Sequence, residues 1–480
     1  MNFTFKMLID GAWVDAQNGK TWEVINPADE SVIATVPFGD AADAHLAIAA
    51  AARAQSGWAA MTAYERGEVL ERTAALIREN ITDLALIMTR EAGKPLAESK
   101  GEWNASADLF DWFAEEGKRA YGRLIPARRK DRRLMTIPTP VGVVGAITAW
   151  NFPALLLARK ISASLAAGCS VVARPSELTP MTGMAIAGIL VAAGVPAGVV
   201  NLVNGDPAGI GEAFCTSPLM NKISFTGSQR VGRILMAQAA GTLKRFSLEL
   251  GGNAPVLVFP DADPEKAARL VGIGKFRNSG QVCIAPNRVY VHHSRYEEFV
   301  DASKHYAESL RLGEGTGGGV TVGPMVSAGG RAKIEALVAD AVSKGARIVT
   351  GGTRPDALTT GYFYRPTVLT DITGDMALHN EEIFGPILPI NTFGTVEEGL
   401  KLANETPYGL AAYVITDDME TAIRAYEGLR FGVIGVNETV PATAEAPFGG
   451  LKQSGYGHEG GVEGLQAYMD TKFVSITLKG

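Results

Sequence analysis

Cysteine is scarce in this sequence: three in 480 residues. That count is too low for a disulfide framework and fits a reducing compartment. Long apolar runs are also missing. The longest, Ala185 to Val200, is broken by Gly188, Gly194 and Pro196, and it falls short of the about 20 residues that span a bilayer. The opening Met1-Asn-Phe-Thr-Phe-Lys6 lacks a basic region followed by an apolar core, so no secretory leader is expected. Basic charge is concentrated only at Arg128-Arg129-Lys130 and Arg132-Arg133, without interleaved aromatics, in a chain of net charge −6. This predicts a solvated surface or subunit contact rather than a nucleic-acid site. The six histidines show no metal-ligand spacing, and His292-His293, read within a strand, would point to opposite faces. No metal is predicted. Internal repeats and low-complexity segments are absent. The expectation is a soluble, cytoplasmic protein with no membrane or nucleic-acid partner.

What is present is an ordinary globular balance, 46% apolar and 20% charged. The length suggests two to three domains at about 100–200 residues each. The first forty residues read as short strands and turns. Residues 41 to 119 are helical in pattern, with apolar positions three and four apart, as in Leu70, Ala74 and Ile77. Gly122 to Pro140, polar and basic, reads as a projecting ribbon. From Val141 onward, strand-like runs (Gly142–Thr148, Ser170–Ala173, Val199–Val203, Lys222–Phe225) alternate with helix-like segments. Such βα units imply a parallel sheet flanked by helices, an α/β Rossmann-like class. A second αβ series runs from about Ala254 to Val436. The tail Thr471–Thr477 alternates as a strand that needs a partner edge.

Among the cysteines, Cys169 enters an apparent buried strand and Cys215 lies near a helix end, so both read as core. Cys283 sits in the irregular Phe276-Arg-Asn-Ser-Gly-Gln-Val-Cys-Ile-Ala-Pro286, and backbone near Gly280 can approach a ligand closely. A reactive thiolate fits this context, and so does a structural one. In Leu248-Glu-Leu-Gly-Gly252, Glu249 is either a strand-end carboxylate facing solvent or a base in an apolar pocket, where burial would raise its pKa toward neutrality. Phe225-Thr-Gly-Ser-Gln-Arg-Val-Gly232 places Thr-Gly-Ser between a strand and a helix, where free N–H groups suit a pyrophosphate. Arg233 and Ile234 stand where a P-loop needs Lys and Ser/Thr, which argues against a nucleoside triphosphatase.

Taken together, Trp150-Asn-Phe-Pro153, Arg174-Pro-Ser-Glu177, Phe225-Thr-Gly-Ser228, Leu248-Glu-Leu-Gly-Gly252, Gly280-Gln-Val-Cys283, Glu381-Glu-Ile-Phe-Gly-Pro386 and Pro447-Phe-Gly-Gly450 resemble the aldehyde dehydrogenase superfamily, in its order and over essentially the whole chain. The resemblance implies that family's fold. Residues 1–120 and 141–251 would form the cofactor domain and 252–446 the catalytic domain. Segments 121–140 and 466–480 would form a small β oligomerisation element, with 447–465 returning to the cofactor domain. It also implies a mechanism. The Cys283 thiolate attacks the aldehyde, Asn151 and the Cys283 N–H hold the oxyanion, hydride leaves for the nicotinamide, and Glu249 activates water to hydrolyse the thioester. Trp150, Arg174, Ser176, Glu177, Thr226, Gly227, Ser228, Leu250, Glu382 and Phe384 would handle the cofactor. Glu177 can bond both ribose hydroxyls and would repel a 2′-phosphate, so NAD is preferred. Arg174, where the family usually has Lys, leaves NADP open.

Two arginines carry the substrate signal. Arg159 and Arg277 stand where family members acting on apolar aldehydes tend to have aromatics. With Thr443, Phe276-Arg-Asn and Tyr121-Gly-Arg, they resemble the succinate-semialdehyde dehydrogenase branch. Two guanidinium groups in one pocket call for an anion, unless either pairs with a structural acid. The inferred substrate is a small aldehyde with a distal carboxylate or sulfonate: succinate semialdehyde, or 2-oxoglutarate or glutarate semialdehyde or sulfolactaldehyde. A broad aliphatic aldehyde oxidiser is the alternative. Trp112 and Phe113 line either the entrance or the core. Ala285 stands where some relatives have a second cysteine, which removes a local disulfide switch. An acylating relative would not need Glu249, and a non-catalytic scaffold would not need Cys283, Glu249 and Asn151 together. Related enzymes are homodimers or homotetramers.

Overall fold

Residues 3–479 are described in a computed structural model. Met1, Asn2 and Gly480 lie outside them, and with them the first two residues of the leader reading and the outermost ends of the expected segments. Helix ends follow local chemistry. The helices Ala41–Ala60 and Ala63–Glu79 each open on a capping box, Asp40 with Asp43 and Thr62 with Glu65. Four helices of the βα units begin on a proline, at 153, 180, 207 and 264. The helix Pro153–Ala167 stops at Gly168, whose φ of 90° is left-handed.

The largest sheet contains five parallel strands: Val143–Ile147, Ser170–Arg174, Val200–Leu202, Lys222–Thr226 and Arg245–Glu249. Numbered in chain order they lie 5-4-1-2-3 across the sheet, the Rossmann order, which reverses between Val143–Ile147 and Lys222–Thr226. In such sheets ligands bind beyond the carboxyl ends at that reversal, here just before Trp150 and Gly227. Antiparallel strands close both edges: Met7–Ile9 with Ala12–Val14 on one side, and Gly455–Tyr456 beside Arg245–Glu249 on the other. Burial on both faces explains why these strands read as continuous apolar runs.

A second sheet of seven strands is parallel except at one edge, where Arg347–Thr350 runs antiparallel to Thr367–Thr370. Its centre is Ala254–Val258 beside Pro286–His292. A third, three-stranded sheet joins the ribbon to the tail: Met469–Thr477 pairs along Arg132–Pro140, which pairs with Arg123–Ile125. The tail strand thus finds its edge far upstream, from Met469 on Pro140 to Thr477 on Arg132. Cys169 and Cys215 are buried core, as is Phe113, with Trp112 packed against it. The opposite-face reading of His292-His293 does not hold. His292 ends its strand and His293 begins a short turn, so alternation stops there and the rings lie 4.2 Å apart. Among the described residues no helix is long and apolar enough to cross a membrane, and no group of three or more His, Cys, Asp or Glu is placed to hold a metal ion.

Candidate functional site

A cavity of about 770 Å³ opens beyond the carboxyl ends of the Rossmann-like sheet and faces the second sheet. Its size suits a small-molecule site. It gathers most of the residues singled out from the sequence: Trp150, Asn151, Arg159, Thr226, Gly227, Ser228, Glu249, Leu250, Arg277, Cys283, Glu382 and Phe384. Arg174, Ser176, Glu177 and Thr443 are not among its lining. Thr443 is exposed and its hydroxyl bonds the Glu445 side chain. The same loop instead lines the cavity with Val440 and Ala442. The Thr443 hydroxyl is thus placed away from the cavity that holds Arg159 and Arg277.

Cys283 is partly exposed and sits between a turn at 277–280 and the strand Pro286–His292. In that turn Asn278, Ser279 and Gly280 have φ of 47°, 55° and 73°, three successive left-handed residues. Hydrogen bonds hold them there. Asn278 N–H donates to Glu98 at 2.8 Å, the Ser279 hydroxyl to the Gly323 carbonyl at 2.7 Å, and the Asn278 amide to the Asn151 carbonyl at 2.9 Å. The close approach expected at Gly280 is made to the protein's own chain: a Cβ there would lie 2.1 Å from the Gly385 carbonyl oxygen. Asn151 is fixed from both ends. Its side-chain amide donates to the Gln281 carbonyl at 3.1 Å, and its own carbonyl also receives Lys94 Nζ at 2.7 Å.

Glu249 ends its strand inside the cavity, almost fully buried, with neither carboxylate oxygen partnered. Burial, and after it the nearby Glu459 carboxylate, holds its pKa well above the usual carboxylate range, while Lys160 and Arg159 pull the other way. Burial also pushes the Cys283 thiol up to about 12; Glu382 and Glu249 add to the rise, and Arg159 and Arg277 oppose it. Both shifts disfavour loss of the proton, from the thiol and from the carboxyl. Arg159 is buried with its guanidinium 4.2 Å over the Phe448 ring, and Arg277 lies 5.4 Å from the centre of the Phe152 ring. The Nε of each is unpartnered, and neither forms an ion pair among the described residues. Glu98 lies within electrostatic reach of Arg277, and Glu249 of Arg159, but neither closes an ion pair.

At the other end of the cavity, Trp150 and Phe384 meet edge to face at 5.4 Å, and Phe384 has a φ of 57°. Glu382 accepts Gly252 N–H at 2.9 Å, and burial raises its carboxyl to about 7. Ser228 caps the helix Gln229–Ala239 by accepting Val231 N–H, and Gly227 N–H is taken by the Glu249 carbonyl. The N–H groups left open at this helix end are those of Ser228, Gln229 and Arg230, one step later than Thr-Gly-Ser alone implies. Outside the cavity, Arg174 donates to Glu177 at 2.6 Å and to the Gly205 carbonyl at 2.9 Å, with its Nε unpartnered. Ser176 accepts Leu178 N–H at 3.3 Å.

Two ion pairs at the cavity wall, each with its carboxylate lining the cavity, have no counterpart in the sequence analysis. Lys160 and Glu459 form a fully buried ion pair beneath Glu249, and Lys160 also donates to Thr226 Oγ1 at 2.7 Å. Lys94 pairs with Glu102 at 2.5 Å, while the other Glu102 oxygen accepts Ala154 and Leu155 N–H at the start of the Asn151-proximal helix. A lysine beside Arg159 in an otherwise apolar helix was the available signal for the first. Glu98 and Glu102, one helical turn apart, was the signal for the second.

Against known proteins, the aldehyde dehydrogenase family matches residues 13–474. The succinate-semialdehyde dehydrogenase (NADP(+)) of Escherichia coli (strain K12) is 44% identical, covering 99% of this chain and 98% of its own. The 3-sulfolactaldehyde dehydrogenase of Pseudomonas putida is 46% identical over 98% and 96%. A crystal structure described as an E. coli NADP-dependent enzyme has a TM-score of 0.98 at 43% identity, over 99% of this chain and 98% of that one.

Proposed function

The chain belongs to the aldehyde dehydrogenase family, enzymes that oxidise aldehydes with NAD(P), and from that premise we propose that its substrate is a small aldehyde with a distal anionic group, succinate semialdehyde or a close analogue such as glutarate semialdehyde, 2-oxoglutarate semialdehyde or sulfolactaldehyde. The observation that carries this is the pair of unpaired guanidinium groups, Arg159 and Arg277, in the cavity that holds Cys283. Buried cations without partners are costly, and a ligand anion relieves them. The similar proteins named for succinate semialdehyde and sulfolactaldehyde support the same class.

In this reading the Cys283 sulfur, once deprotonated, bonds to the aldehyde carbon. The carbonyl oxygen becomes an oxyanion facing the Asn151 amide and the Cys283 N–H. The bound cofactor supplies the hydride acceptor. Trp150, Leu250, Glu382 and Phe384 would hold its reactive end, Thr226, Gly227, Ser228 and the open N–H groups its phosphates, and Arg174, Ser176 and Glu177 its adenosine end. The unpartnered Arg174 Nε and the aromatic pair fit such a guest. Glu249 then takes a proton from water, which attacks the thioester, forms the carboxylate and releases the thiolate. We assign NAD as the preferred cofactor. Glu177 already neutralises Arg174, so a 2′-phosphate would have to displace a carboxylate, whereas ribose hydroxyls would not. NADP is the second reading, favoured by the name of the E. coli relative. Three free cysteines support a cytoplasmic setting. Exposed Leu124 and Phe473 on the three-stranded sheet support a homodimer or homotetramer joined there, which sedimentation would test.

The deciding experiment measures kcat/KM for the four anionic aldehydes and for neutral aldehydes of equal length, with NAD and NADP, with and without coenzyme A. Anionic aldehydes should lead, with hydrolysis to the free acid. Equal or better turnover of neutral aldehydes would overturn the anionic assignment.

A further inference from the structure

The helix Leu96–Glu116 presents two glutamates to the cavity, Glu98 and Glu102. Glu102 is spent: one oxygen receives Lys94 Nζ and the other two backbone N–H groups. Glu98 is not. Its Oε2 accepts Asn278 N–H at 2.8 Å, while Oε1 has no partner among the described residues. Its side chain is partly open, so that oxygen is reached from the cavity. Asn278, whose N–H Glu98 accepts, is the chain neighbour of Arg277; the Lys94 and Arg277 charges act on Glu98 from nearby, yet neither forms an ion pair with it among the described residues. Three positions along the same helix is Gly101, also at the cavity wall, where a Cβ would meet nothing within 4 Å. Space is left beside a carboxylate oxygen that nothing in the protein uses.

A carboxylate in this position works against the anion that Arg159 and Arg277 would hold. Opposition of that kind becomes selectivity if the preferred ligand brings a group that converts it into attraction. We propose that Glu98 is a substrate-binding, specificity-determining residue whose free oxygen accepts a hydrogen bond from a hydroxyl or ammonium group that the substrate carries next to its anionic end. The preferred substrates are then anionic aldehydes bearing such a donor, and the unsubstituted chain is the poorer member of the class. This rests on the reading of Cys283 and the two arginines above.

The test compares 4-oxobutanoate with 2-hydroxy-4-oxobutanoate and 2-amino-4-oxobutanoate, which differ only by a donor on the carbon beside the carboxylate, together with butanal. The wild-type enzyme should favour at least one donor-bearing aldehyde by tenfold or more in kcat/KM. Glu98→Gln keeps a carbonyl oxygen for Asn278 N–H but loses the charge. It should cut that preference tenfold or more, read as the ratio of kcat/KM between donor-bearing and plain substrates, so that any effect common to all of them through the 277–280 turn cancels. Wild-type enzyme that prefers 4-oxobutanoate to both derivatives overturns the role of Glu98, and so does a preference that survives Glu98→Gln. If butanal matches all three anions, the anionic-substrate reading itself fails. If that variant does not fold, Glu98→Asp, which keeps the charge and draws the oxygen back, should lower the same ratio, and an unchanged ratio overturns the role.

Discussion

Arg159 and Lys160 are neighbours on one buried helix, and the protein treats them oppositely. Lys160 is fully buried and locked to Glu459 and Thr226. Arg159, hardly more exposed, has an aromatic face and no carboxylate. The same division runs through the whole site. Lys94 is paired with Glu102 and the Asn151 carbonyl, and Arg174 with Glu177 though its Nε stays free, whereas Arg277 has no ion pair among the described residues. Cations that hold the scaffold are paired within it. Those that face the reacting thiol are unpaired, and they are the ones left for a ligand.

The division can be broken by exchanging the two kinds of cation. Lys160→Met strands a buried carboxylate beside Glu249 and should cost about 3–5 kcal/mol of stability, read as a large fall in the denaturation midpoint. A variant as stable as the parent would make Lys160 another open cation. Arg277→Ala should do the reverse. It should cost less than about 1 kcal/mol of stability but lower kcat/KM for anionic aldehydes by roughly 10²-fold or more, with neutral aldehydes little affected. Equal losses for both substrate types would remove its role as an anion partner. At the cofactor end, Glu177→Ser frees Arg174 and should raise the NADP-to-NAD ratio of kcat/KM by about tenfold; an unchanged ratio would count against the pairing as the selector.

The smallest effect concerns pH. In the proposed mechanism Cys283 and Glu249 both act after losing a proton, and burial makes that loss harder for each. Alkylation of Cys283 and kcat/KM should therefore rise from neutral into alkaline pH. Arg159 and Arg277 lower the thiol pKa, so Arg159→Met should shift the alkylation profile to higher pH by a fraction of a unit. A shift to lower pH would show that the open arginine does not act on the thiol.

The elements were legible because each follows from its own residues. Pro153 and Gly168 bound one helix, Asp40 with Asp43 and Thr62 with Glu65 start two others, and apolar runs mark the parallel strands. Trp150, Asn151 and Cys283 stand out through an ordered set of motifs, Arg159 and Arg277 through charge where aromatics are common, and the fold brings all five to one cavity. Thr443 lies outside the wall of that cavity, with its hydroxyl on the Glu445 side chain. Gly280 was read for a ligand and serves the packing of Gly385. Lys160 with Glu459 was missed, being a bond across 299 positions.

The order of strands and helices, the family and the chemical groups available were legible in the residues, since these depend on local propensity and on residue identity. The residues left Glu249 either a surface carboxylate or a buried base, and Arg159 either paired with a structural acid or open. The folded chain shows Glu249 buried and Arg159 without an ion pair among the described residues. The pKa of a carboxyl and the pairing of a guanidinium depend on how much water and which opposite charges surround them, and those neighbours arrive from distant parts of the chain.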